Sequence, residues 1–158
     1  MHLAEIGGLS LLAIFDVLHI PGAVWAETVG LGRVSQTDLE SAALVQRHTV
    51  PEGALQQFVV ANRLQGLHRG ELECLFLCGH LDVSLLLTDD LAVRNAAHRL
   101  ELTPVGSLGI VVRTYRRGHI TLAAAEQHIE DLYQVRSLFV TRAIVELAIE
   151  QLRAAAYD

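Results

Sequence analysis

Lysine is missing from this sequence, so all 12 strongly basic side chains are arginines. Arginine binds phosphate bidentately, so anion recognition survives the absence. Cysteine is nearly missing too. Cys74 and Cys78 are the only pair, and two thiols supply half of the four ligands a structural zinc takes. Four residues apart on one expected helix, they read as small apolar core residues. The eight histidines include no HxxxH pair and no HExxH motif, so local spacing marks none of them as a metal ligand. No apolar run approaches the roughly 20 residues that span a bilayer. The opening stretch lacks a basic n-region and a small-residue cleavage site, so no signal peptide is expected and a cytoplasmic location is.

What is present is a chain of 158 residues and 17.3 kDa, 51% hydrophobic and 19% charged. That length supports one domain with a real core, and that balance excludes a disordered chain. A net charge of −6 argues against a protein that simply coats nucleic acid. A local basic strip at Arg113, Arg116, Arg117 and His119 reads either as a phosphate-facing surface or as a solvated helix end.

Periodicity alternates helix and strand. Helices are expected over 3–14, 21–30, 37–46, 53–66, 70–80, 90–99, 107–117, 121–134 and 141–155. The second starts at Pro21 and closes on a glycine; the third opens with Thr37 as cap and Glu40 three residues on. Strands are expected near Ile20, over Val83–Leu87 and near 102–106. The run Val83–Leu87 is apolar but for Ser84 and reads as a strand covered on both faces. Neither repeats nor a linker break the chain, so 1–158 reads as a single domain.

Candidate chemistry gathers on carboxylates. Asp89 and Asp90 follow the buried strand, at the end where open parallel sheets bind ligands. Two adjacent carboxylates ionise cheaply only beside a cation, and a hard ion such as Mg²⁺ prefers oxygen ligands. The plainer role is an N-cap, which stabilises a helix by about 0.5–2 kcal/mol, and one of the two aspartates suits it. Glu71 and Glu73 open a helix after Gly70, where its dipole favours negative charge. Glu27 stands in a largely apolar helix and has no such local explanation. Response-regulator and haloacid-type folds share the double aspartate. A phosphate-transfer receiver needs a later lysine, and this chain has none.

Three stretches, in order and spacing, resemble PIN-domain proteins, especially compact prokaryotic members related to toxin–antitoxin ribonuclease toxins. They are Ile20–Glu27 (IPGAVWAE), Leu67–Glu73 (LHRGELE) and Leu85–Gly118, which holds the double aspartate and a later VGSLG. With the helical 121–153 region, the resemblance covers nearly the whole chain. It implies a three-layer α/β/α domain with a parallel sheet, and one or two Mg²⁺ or Mn²⁺ ions held by acidic residues at strand ends. The implied activity is RNA phosphodiester hydrolysis. Glu27, Glu71 and Asp89 are the implied metal ligands, Asp90 stands with them as a catalytic candidate, and Arg94 is a phosphate contact. Glu73 matches a second acidic place in its motif and suits a structural role.

The sequence departs from the family at its start. The family opens on a strand carrying an aspartate, whereas Met1–Gly7 already matches the helix that follows. Neither Glu5 nor Asp16 takes the aspartate's place. Without that strand two neighbouring strands lose a shared partner, and open edges invite association; the resemblance itself implies a homodimer or larger homo-oligomer. A start roughly ten or more residues upstream would restore one strand and a turn. The other explanation is a shortened relative, catalytically silent, that binds an antitoxin-like protein or itself.

Overall fold

The computed structural model describes residues 2–135, 137–138 and 140–154. These fall into two compact units, residues 1–16 with 106–158 and residues 17–105.

In the first unit, α1 (His2–Glu5) ends at Gly7, whose φ of +66° suits glycine. A 3₁₀ helix over Leu9–Ile14 follows. The single helix expected over 3–14 is thus broken in two at the Gly7-Gly8 pair. Three longer helices, α7 (Ser107–Arg116), α8 (Leu122–Gln134) and α9 (Arg142–Ala154), pack mutually. The last expected residue of α9, Ala155, lies outside the described residues. Thr121 Oγ1 accepts from Ala124 N at 3.2 Å, which caps α8. Leu3, Leu11, Leu12, Val111, Ile129 and Leu152 are all but inaccessible. The 3₁₀ helix is tied to α7 twice. The buried Thr114 hydroxyl lies 3.3 Å from Leu11 O, and the Arg117 guanidinium donates to Ile14 O.

The second unit holds all four described strands. They are β1 (Leu18–Pro21), β2 (Val45–His48), β3 (Leu85–Leu87) and β4 (Thr103–Val105). β1 pairs with β2 and β3 with β4, both parallel, as two separate two-stranded sheets. Parallel neighbours need crossovers. β1 reaches β2 through a short helix α2 (Gly22–Trp25), a π-type turn (Ala26–Gly30) and α3 (Gln36–Ala42); β3 reaches β4 through α6 (Leu91–Arg99). This is an α/β fold with parallel strands, as expected from the alternation. Among the described residues, no strand joins the two pairs.

Two helix expectations need correction. The cap of α3 is Ser35, whose Oγ accepts from Asp38 N at 3.3 Å, and not Thr37. The helix stops at Ala42 because Ala43 is already extended, and residues 45–48 become β2 instead of its last turn. The helix expected over 53–66 is α4 (Glu52–Asn62), ended by Arg63 in the left-handed region at φ 55°.

α5 (Arg69–His80) organises this unit by packing against α2, α4, β1 and β3. Leu75 and Cys78 join Leu86 of β3 and Val93, Ala96 and Ala97 of α6 in one core cluster. Leu77 joins Val50 and Leu55 in a second. Toward α2 the contact is polar. Glu73 is only 3% exposed, and its Oε2 accepts from Ala23 N at 3.0 Å while its Oε1 accepts from Arg69 Nε at 2.9 Å. A buried carboxylate so paired fixes where α2 begins relative to α5. Glu73→Ala leaves the Ala23 N–H without its acceptor and is expected to lower stability by about 1–3 kcal/mol. Urea unfolding reads this as a lower midpoint, and an unchanged midpoint would show that the clamp contributes nothing.

Candidate active site

The carboxylates expected to carry chemistry all belong to the second unit, and the structure gives each a different local job. Glu71 sits in the first turn of α5, and its Oε2 reaches back to accept from His68 N at 2.8 Å. That is half of a capping box and leaves Oε1 for other partners. Asp90 is the N-cap of α6, with Oδ1 accepting from Val93 N at 3.0 Å. Its own N–H donates to Thr88 Oγ1 at 3.2 Å. The cap expected of one aspartate therefore falls to Asp90, and Asp89, half-buried, stands between strand and cap. Thr88 N donates to Val105 O at 2.9 Å and extends the β3–β4 pairing to the edge of this loop.

Glu27 lies exposed on the π-type turn after α2. Its position depends on Gly70. A Cβ at Gly70 would come within 3.2 Å of Glu27 Oε2 and of Val24 Cγ2, so the glycine leaves room for the carboxylate beside the start of α5. Glu27, Glu71 and Glu73 all act on the Cys74 thiol. Its pKa is pushed up to about 12 by burial first, then by Cys78 and by these three glutamates. Burial pushes Cys78 to about 11. Both cysteines are neutral thiols packed in the helix, consistent with the core role read from their spacing.

Arg94 Nη1 donates to Thr88 O at 3.4 Å, so this arginine backs the β3–α6 loop. In the first unit, Arg117 is held on Ile14 O, while Arg116 and His119 are exposed and Arg113 is half-buried. At least one member of the basic strip is therefore structural.

A family model described as the PIN domain matches residues 1–154. The chain belongs to the PIN-domain family. No curated protein and no solved structure matches it significantly. PIN domains are generally nucleases that use divalent metals, so a nuclease-type function follows at that level. Among the described residues, no group of three or more His, Cys, Asp or Glu side chains is placed to hold a metal ion. The donors nevertheless suit a hard ion. They are oxygens, and the Gly70 recess seats the Glu27 carboxylate against the first turn of α5. Mg²⁺ keeps several waters and needs only one or two carboxylates alongside substrate phosphates. Among the described residues, no helix is long and apolar enough to cross a membrane.

Two outcomes test this PIN-domain geometry without reference to activity. Gly70→Ala gains up to about 1 kcal/mol of helix propensity against a tight contact, so its stability should change little while the Glu27 carboxylate moves away. A variant crystal structure with Glu27 in place would remove the glycine's role. The raised thiol pKa values predict slow reaction with a disulfide reagent at pH 8 until the chain is unfolded. Because the unfolded thiols ionise near 9.0 and the folded ones higher, the fold should lose stability as pH rises past that unfolded value. Fast labelling of the folded protein would contradict both.

Proposed function

We propose that this PIN-domain chain is an endoribonuclease acting on RNA phosphodiesters with Mg²⁺ or Mn²⁺. The observation that carries the reading is the Glu27 carboxylate, seated by Gly70 against the first turn of α5, where Glu71 stands. π-type turns such as the one bearing Glu27 are rare and recur at functional sites. Glu27, Glu71 and Asp89 would hold the ion, which when bound supplies an acidified water and positive charge against the charge developing on the phosphate. Asp90 holds the loop after β3 in shape through its cap on α6, which keeps Asp89 at the end of the strand. Arg94, one turn further on, is the nearest arginine in sequence for a phosphate oxygen. The reading takes 1–158 as one domain, supported by a family match that runs through both units. A toxin role with an antitoxin-like partner, a homodimer and a cytoplasmic location go with the same reading.

The lack of a three-residue metal cluster among the described residues favours a second reading, a catalytically silent PIN module that engages a protein partner or itself. Calorimetric titration with Mg²⁺ or Mn²⁺, followed by RNA cleavage assays, separates the two. For the nuclease, metal binding and cleavage are expected, each falling at least about tenfold in Asp89→Ala and Glu27→Gln, the loss of roughly 1.4 kcal/mol or more. No metal heat and intact RNA would support the silent module.

A further inference from the structure

Histidines read one by one along the sequence have no metal-binding spacing, but the fold brings two of them into contact. Parallel pairing sets Pro21 of β1 opposite His48 of β2, and His19 opposite Gln46. Side chains alternate along a strand, so His19 and His48 lie on the same side of the pair, one diagonal step apart. Their rings are tilted by 50° with centroids 5.0 Å apart, and His19 Nδ1 is 2.9 Å from His48 Nε2. Both residues are half-buried. A contact of that length between two ring nitrogens holds one proton, donated by one imidazole and accepted by the other.

We propose that His19 and His48 form a site for a borderline divalent cation of the Zn²⁺ class, distinct from the carboxylates around Glu27. The shared proton marks the point at which two lone pairs can meet. Two nitrogens bound to one tetrahedral Zn²⁺ at about 2.0–2.1 Å would be about 3.3 Å apart, so the rings need only part by roughly 0.4 Å. Imidazole nitrogen suits Zn²⁺, Cu²⁺ and Ni²⁺, whereas Mg²⁺ takes oxygen. The same chain thus offers an oxygen set suited to a hard ion and a nitrogen set suited to a borderline one.

The surroundings favour the ligating form. Burial first, then His19 and His80, holds His48 below its ordinary value near 6.5, which keeps that ring neutral near pH 7. His80 ends α5 and stacks on Phe76 at 5.5 Å between centroids. It is the further imidazole whose charge His48 feels, and solvent fills the remaining coordination positions. With two protein nitrogens the site binds more weakly than a closed four-ligand zinc centre. Bound metal would cross-link β1 to β2 near their C-terminal ends, just before the turn into α2.

The test is titration of the full chain, free of any polyhistidine tag, with ZnCl₂ alone, by calorimetry at pH 7.5 and pH 6.0. One equivalent should bind at pH 7.5, and more weakly at pH 6.0, because the rings must be deprotonated. His19→Gln and His48→Gln should each weaken binding at least tenfold, while His2→Ala and Asp89→Ala leave it unchanged. Circular dichroism of each variant shows that it is folded, and visible absorption of Co²⁺ substituted for Zn²⁺ reports nitrogen ligation directly. Equal affinity in the two glutamine variants, or no saturable binding by the parent, would overturn the proposal. Loss of binding in Asp89→Ala instead would assign the metal to the carboxylates.

Discussion

The second unit depends on one buried carboxylate. Glu73 is covered by protein, accepts the Ala23 N–H with one oxygen and the Arg69 guanidinium with the other. Burying a charge is expensive unless it is paired and hydrogen-bonded, and here both oxygens have partners. Through that pairing the first turn of α2 is held against α5. Gly70, one turn before Glu73, admits Val24 and Glu27 to the same interface. The candidate site is therefore shaped by a residue that matches the acidic pattern of its motif but is occupied with structure.

Much of this was legible in the residues, and what was not has physical causes. Leu85–Leu87 is apolar because β3 packs against α5 and β4, and its identity needed no partner to be read. That one of the two aspartates caps α6 was readable from local chemistry; which one was not, because the helix was expected from residue 90 and begins at Leu91. β2 was hidden because Gln46 and Arg47 are polar and the preceding helix has a good cap. Extended backbone there is rewarded only by pairing with β1, which lies far away in sequence. The break at Gly7 was missed because apolar residues continue on both sides of it, so periodicity alone read one helix.

The candidate site shows the same division. Acid types and their order along the chain were visible; the tasks they perform were not. Glu71 reaches back to His68 N and Asp90 forward to Val93 N, relations of three residues that sequence can suggest. The seating of Glu27 against Gly70 and the meeting of His19 with His48 join residues far apart, and no spacing rule contains them. Trp25 adds a similar case. It is buried, with the Arg47 guanidinium 4.3 Å from its ring centroid, a stacking that gives a polar residue of β2 a reason to lie over α2.

The division of four strands into two pairs bears on how this unit assembles. Each pair and its crossover form a loop shorter than the one closed between α2 and α5, β1 with β2 and β3 with β4. The link from Ala23 to Glu73 spans 50 residues, and closing a longer loop costs more chain entropy, although only slowly with length. Each pair is incomplete on its own, because two strands make a marginal sheet and α5 packs against both β1 and β3. Docking of that helix joins the two pairs, so a change in α5 is felt by both of them at once.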